Sequence, residues 1–247
     1  MKFKEFGNLT LPTIIFLHGG GLSWWSLEKI IAGLQSSYHV VTPIIDGHGE
    51  DGATTFISIE DSATKLISYI DENYQGKIFA LAGLSIGAQI VTEVLARRTD
   101  ITQYAIIESV LLYPIKAITA LTIPIYKLIY GLIKHRWFAK MQAKSLFVPE
   151  AMFQQYFEDS LKISKQSLIN LTISNGSYCL KEEIKNTKAK VLIIVGGKEL
   201  QLMKKSARKL QATIPNSQLY VAEKMGHGEI SLVNYPFYLK LLADFLV

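Results

Sequence analysis

The chain has 247 residues, 49% of them hydrophobic, and 26 Lys and Arg against 21 Asp and Glu give a formal net charge of +5. This composition excludes a disordered chain and supports one large core, or a core carrying an insertion. No basic stripe interleaved with aromatics marks a nucleic-acid groove, and no nucleic-acid partner is expected.

The opening Met1-Lys2-Phe3-Lys4-Glu5-Phe6 lacks the apolar run of a secretory signal. The single cysteine, Cys179, cannot form a disulfide within the chain, so a cytoplasmic location is expected. Short apolar, β-branched runs then alternate with helical patterns. Strands are predicted at Thr13–Leu17, His39–Ile44 and residues 78–82, 104–110, 191–196 and 218–222. Helices are predicted at 26–34, 59–72, Ile86–Arg97, 204–212 and 235–246, with Ser58 capping the second and Asp61 in the reciprocal position. Runs this apolar on both faces form parallel sheets covered by helices, and right-handed crossovers bring the strand C-termini to one edge. His18, Asp46, Ser85, Glu108, Glu199 and His227 all fall at or just past predicted strand ends. They are expected to converge there.

Residues 114–190 interrupt the alternation and read as helices at 115–132, 137–146, 149–161 and 164–173, with Pro149 in a first-turn position. The most apolar stretch, 115–133, is interrupted by Lys116, Pro124 and Lys127 and is not expected to span a bilayer. The segment is crowded with aromatics, including Tyr126 and Trp137, and is expected to form a helical cap over the crevice. Its apolar helices could alternatively support a homodimer. The expected domains are therefore a core of 1–113 and 191–247 and a cap of 114–190.

Gly83-Leu84-Ser85-Ile86-Gly87 stands between an apolar strand and a helix, which suits a nucleophile on a tight strand-to-helix turn. A serine hydroxyl needs a base, and His227, flanked by Gly226 and Gly228 after the last strand, is the candidate. The acid that would orient it is Glu199, on a turn leaving an apolar strand, with Glu108 as the alternative. The backbone N–H groups of Gly20, within His18-Gly19-Gly20-Gly21, and of Ile86, which opens a helix, are candidate oxyanion donors. Trp24 and Trp25, with Tyr126 and Trp137, are candidate pocket residues. The histidines form no metal-ligand motif, and the glycine run closes neither a phosphate loop nor a dinucleotide fingerprint, so no metal or cofactor is expected.

Together these residues make the chain resemble the alpha/beta-hydrolase superfamily, in which serine, acid and histidine follow in this order. Asp46-Gly47-His48-Gly49 looks like that family's Asp-x-x-Gly loop, and Gly196-Gly197-Lys198-Glu199 looks like its Gly-x-x-Asp turn with glutamate in place of aspartate. The resemblance implies an α/β fold with a mainly parallel sheet and a helical cap after the sixth family strand. Little sequence precedes Thr13, so the first two family strands would be absent or reduced to a fragment near residues 2–6. The implied function is hydrolysis of a small or medium hydrophobic ester through an acyl-enzyme. Peptidase, thioesterase, lactonase and other small-molecule hydrolase activities remain alternatives, as does a non-catalytic binding module on the same fold.

Overall fold

A computed structural model describes residues 1–115 and 117–247. Seven strands form one sheet in the order β1-β3-β2-β4-β5-β6-β7. They are β1 (Lys2–Phe6), β2 (Thr13–Leu17), β3 (His39–Ile44), β4 (Ile78–Leu84), β5 (Thr102–Glu108), β6 (Lys190–Gly196) and β7 (Ser217–Ala222). β2 to β7 run parallel, while β1 lies antiparallel along β3 at one edge. The anticipated N-terminal fragment is therefore a real strand, kept at the edge and polar at Lys2, Lys4 and Glu5.

Alternation along the strands divides the core in two, as a two-residue period requires. Ile15, Leu17, Val41, Leu81, Ala105, Ile107 and Ile193 face α2 (Ile59–Tyr74), α3 (Ile86–Arg97) and α8 (Gln201–Thr213). Ile14, Phe16, Val40, Ala80, Ile106 and Leu192 face α1 (Glu28–Leu34) and α10 (Tyr235–Phe245). With both faces covered, the polar ends of the strands are the natural place for chemistry. The chain passes from β2 outward to β3 and then back across to β4, so the sheet's switch in direction falls between β2 and β4.

Between β5 and β6 lie α4 (Ile118–Ile129), α5 (Arg136–Ser145), α6 (Phe153–Ser160) and α7 (Lys165–Ser177). A third apolar cluster joins Ala139, Ala143, Phe153 and Tyr156 of this segment to Leu22, Trp25 and Leu84, at the C-terminal edge of the sheet. The helices differ from expectation in detail. The first stops at Ile129 and continues as a 3-10 turn, Tyr130–Lys134; Lys116, within the range expected for it, lies outside the described residues. Pro149 precedes its helix in an extended conformation (ψ 143°), and its carbonyl accepts the Met152 N–H.

Ser58 does cap α2, its hydroxyl accepting the Asp61 N–H at 3.1 Å, an interaction worth about 1 kcal/mol. The reciprocal half is absent because the Asp61 carboxylate pairs with Lys65 one turn further on. A last short helix, α9 (Glu229–Leu232), follows the loop after β7.

Candidate active site

β4 ends at Leu84 and α3 begins at Ile86, so Ser85 alone turns the chain. It does so at φ 56°, a conformation costing a serine on the order of 1–3 kcal/mol. Two backbone bonds secure it: Ser85 N–H donates to the Glu108 carbonyl at 2.9 Å, and Gln89 N–H donates to the Ser85 carbonyl at 3.0 Å. The flanking glycines are required by space. A Cβ at Gly83 would lie 2.4 Å from the Gly87 backbone, and one at Gly87 would lie 2.7 Å from the carbonyls of Leu17 and His18. Glycine at 83 and 87 thus lets α3 press against β2 and β4 while Ser85 faces the cavity at the turn.

His227 sits in the loop between β7 and α9. Its Nδ1 lies 2.8 Å from Glu199 Oε2, so Nδ1 carries the proton and Nε2 keeps its lone pair. Glu199 Oε1 accepts from Gly196 N–H at 2.6 Å and from the Ser109 hydroxyl at 2.8 Å. Burial opposes ionisation of this carboxyl. The imidazole, the Gly196 N–H and the Ser109 hydroxyl outweigh burial and hold its pKa below the ordinary carboxylate value. Backbone bonds tie the acid turn to the histidine loop: Gly197 N–H donates to the Ala222 carbonyl and Lys198 N–H to that of Met225. Gly196 has to be glycine, because a Cβ there would meet the Met225 carbonyl at 2.5 Å. Ser85 and His227 line one small cavity of about 20 Å³ together with Gly19, Gly20, Leu22, Leu84, Leu146 and Leu232.

Glu108 occupies a different place. It is buried at the end of β5, its backbone carbonyl serves Ser85, and its Oε1 has no hydrogen-bond partner among the described residues. Burial pushes its carboxyl up to about 7, against the opposing pull of Ser231 and His227. Of the two candidate acids, Glu199 is the one that touches the imidazole.

Ile86 opens α3, where a first-turn N–H has no carbonyl partner within the helix. Gly20 lies beside it: a Cβ on Gly20 would be 3.7 Å from the Ile86 side chain. His18 fixes the glycine segment from behind. Its Nδ1–H donates to the Gly19 carbonyl at 2.9 Å, and its Nε2 accepts the Ile45 N–H at 3.1 Å. Burial, with His48 nearby, lowers its pKa to about 3, so it stays neutral and joins the ends of β2 and β3. Asp46 is likewise structural. Lys65 and the Met1 ammonium pair with it and, despite burial, hold its pKa below the ordinary value.

Next to Gly20 a larger cavity of about 210 Å³ opens between the sheet edge and the inserted helices. Its walls are mostly apolar, with Ile129, Ile133, Phe138, Leu146, Leu168 and Leu171 beside the Tyr126 ring, and His48, Gln142, Tyr156, Asp159 and Ser160 as polar exceptions.

The model of the Alpha/beta hydrolase family matches residues 14–237. The chain belongs to that family. An uncharacterized hydrolase of Bacillus subtilis strain 168, YugF, is 23% identical over 239 residues, covering 91% of this chain and 86% of that protein. Among solved structures, a putative alpha/beta hydrolase family protein from Desulfitobacterium hafniense superposes with a TM-score of 0.78 at 19% identity, over 100% of both chains. The carboxylesterase CesB (YbfK) from Bacillus subtilis gives 0.77 at 19%, over 99% of this chain and 86% of that one.

In this alpha/beta hydrolase three of the four aromatic pocket candidates lie elsewhere. Trp137 is 63% exposed, because Ala139 and Ala143 set the inward face of α5 and leave position 137 outside; Phe138 supplies the wall instead. Trp25 is buried behind the wall, its Nε1–H donating to Asp159 Oδ2 at 2.8 Å. Trp24 sits under the Lys4 ammonium and bonds Glu50, away from the cavity. Tyr126 alone is where it was expected. Sequence reasoning missed Ser109, whose hydroxyl donates to Glu199 and accepts the Gly228 N–H at 3.3 Å, linking acid and histidine loop. The sequence carries no trace of it: the strand predicted at 104–110 runs through position 109, whereas β5 ends at Glu108.

Proposed function

We propose that this chain is a serine hydrolase of carboxylesterase type, acting on esters with small or medium hydrophobic acyl groups. The observation that carries the reading is the shared cavity of Ser85 and His227, with Glu199 holding the far nitrogen of the same imidazole. In this reading His227 Nε2 takes the Ser85 proton as Oγ attacks the ester carbonyl, and the N–H groups of Gly20 and Ile86 receive the oxyanion. The C–O bond to the alcohol then breaks, and His227 returns the proton to the departing oxygen. Water, deprotonated by the same nitrogen, attacks the acyl-enzyme and restores Ser85 with release of the acid. Glu199 orients the ring and stabilises its charged form.

The largely apolar lining beside Gly20 supports an apolar acyl group, since that cavity shares Gly20, Leu22 and Leu146 with the small one that Ser85 and His227 line. In the same proposal residues 114–190 serve as a cap on a core formed by 1–113 and 191–247. The carboxylesterase named among the structural neighbours agrees with an ester reading, although likeness at this identity speaks for the fold alone.

The decisive experiment is fluorophosphonate labelling of the purified protein alongside hydrolysis of short p-nitrophenyl esters. Labelling of wild type and its loss in Ser85→Ala are expected, with a fall in turnover of at least ~10³-fold. A folded wild-type protein that neither labels nor turns over esters, amides, thioesters or lactones would assign the fold to binding instead.

A further inference from the structure

Between Glu108 and Glu150 the sequence contains six Lys or Arg residues and no Asp or Glu. With a formal net charge of +5 for the whole chain, the remainder is close to neutral and slightly acidic. The positive excess is therefore concentrated in one segment, which forms α4, α5 and the turn joining them. Five of the six, Lys127, Lys134, Arg136, Lys140 and Lys144, are described, and all five are exposed. Lys127, Lys134 and Lys144 make no ion pair among the described residues.

The same helices expose large apolar side chains. On α4 the residues turned to solvent include Leu121, Ile125 and Leu128, spaced along one face, with Leu128 84% exposed. On α5 they are Trp137 and Met141, interleaved with Lys140 and Lys144. Leaving so much apolar surface in water is unfavourable, and large apolar side chains exposed along two successive helices mark a surface that meets something. Among the described residues no helix is long and apolar enough to cross a membrane.

We propose that the outer face of α4 and α5 docks this protein on a bilayer surface containing anionic phospholipid. Apolar side chains would enter the headgroup boundary, with Trp137 at the depth tryptophan favours, while the long lysine side chains carry their ammonium groups to the phosphates. Charge decides between this occupant and a second copy of the chain. Among the described basic residues of this face only Lys140 has a carboxylate partner, Glu150. A symmetric dimer through the face would therefore bring two sets of unpaired lysines, Lys127, Lys134 and Lys144, together, whereas an anionic bilayer offsets them. The inward sides of these helices supply Tyr126, Ile129, Phe138 and Leu146 to the 210 Å³ cavity, so docking would put the bilayer one helix thickness, about 10 Å, from the cavity.

The test is co-sedimentation of the full chain with vesicles of phosphatidylcholine alone and of phosphatidylcholine mixed with phosphatidylglycerol. It reads binding and requires no hydrolytic activity. Affinity for the anionic vesicles is expected to exceed that for neutral ones at least ~10-fold and to fall as salt rises. Combined Lys127→Glu, Lys134→Glu and Lys144→Glu substitution should lower it by ~10-fold or more, and Leu128→Asp should weaken it separately with an unchanged unfolding temperature. Equal or no binding to the two vesicle types overturns the proposal, as does a charge-reversed variant that binds like wild type. Sedimentation as a dimer that Leu128→Asp dissociates, without vesicle binding, assigns the face to a second copy and also overturns it.

Discussion

A Cβ added to Gly83 would lie 2.4 Å from the Gly87 backbone, while one added to Gly131 would meet nothing within 4 Å. The two positions stand for two regions. At the C-terminal edge of the sheet, Ser85, Glu199 and His227 are held by backbone bonds between neighbouring turns, and glycines stand where no side chain has room. In the segment between β5 and β6, α4 ends early and apolar side chains are left in solvent, and a cavity of about 210 Å³ remains beneath the helices. Under the proposed mechanism, the contrast separates chemistry from shape. Groups that exchange protons need geometry fixed to fractions of an ångström, which only packed backbone supplies. A pocket wall needs only volume and polarity, which side chains on a separate layer can vary without disturbing the edge.

The division predicts that the largest effects come from the edge and from residues that touch the imidazole. Glu199→Gln removes the negative partner of His227 Nδ1–H and lets the ring adopt the wrong tautomer, so kcat/KM for a p-nitrophenyl ester should fall by ~10³–10⁴-fold. Glu108→Gln, one strand nearer to Ser85 but not in contact with the ring, should cost less than ~10-fold. Both variants should show cooperative unfolding. Were Glu108→Gln the more damaging, the acid role would pass to β5, and the hydrogen bond between Glu199 and His227 would be merely structural.

A smaller effect distinguishes the same two carboxyls by their response to pH. The Glu108 carboxyl is raised to about 7 by burial, so the folded protein retains its proton after the unfolded chain has lost it. The unfolded state then binds fewer protons, and stability declines as pH rises from the ordinary carboxylate range through about 7. Glutamine at 108 cannot ionise. Relative to wild type, Glu108→Gln should gain on the order of 3 kcal/mol between about pH 4.5 and about pH 8 in denaturant titrations. Buried His18 and His48 have lowered pKa values and act in the opposite sense: their neutral forms favour folding above the ordinary histidine pKa, and that contribution is lost as pH falls. A stability difference that does not change with pH would mean that Glu108 is ionised throughout.

The sheet and its edge were legible because they rest on local rules that sequence states directly. β2, β3 and α3 begin and end where apolar runs, glycines and the Ser85 turn put them, and parallel pairing then brings Asp46, Ser85, Glu108, Glu199 and His227 to one edge. The turn after an apolar strand favours Glu199 over Glu108 as the partner of His227, but the contact itself was not legible. That depends on loop geometry after β6, where the Gly196 N–H and Ser109 hydroxyl aim the carboxylate. The inserted helices were legible as helices but not in phase. A single residue of rotation separates Trp137 from Phe138, and only the packing of Ala139 and Ala143 against Leu22 and Trp25 decides which faces the cavity. Asp61 shows the same limit: its spacing from Ser58 fits a reciprocal cap, yet Lys65 competes for the carboxylate and wins.

The phase of α5 yields the smallest and most discriminating prediction. Phe138 and Tyr126 border the cavity, and shortening either to alanine enlarges it without removing a group that handles protons. Tyr126 also exchanges a hydrogen bond with Thr172 at 3.0 Å, so Tyr126→Phe separates loss of that bond from loss of volume. Each alanine variant should move the optimum of a p-nitrophenyl ester series toward longer acyl chains, changing the ratio of kcat/KM between long and short esters by ~10-fold, about the value of one methylene in an apolar pocket. Trp137→Ala, one residue away on the outer face, should leave that ratio unchanged. If Trp137→Ala shifts the ratio and Phe138→Ala does not, α5 is rotated relative to the cavity. The acyl group would then lie against the face presented here to solvent, and the separation of pocket from outer surface would fail.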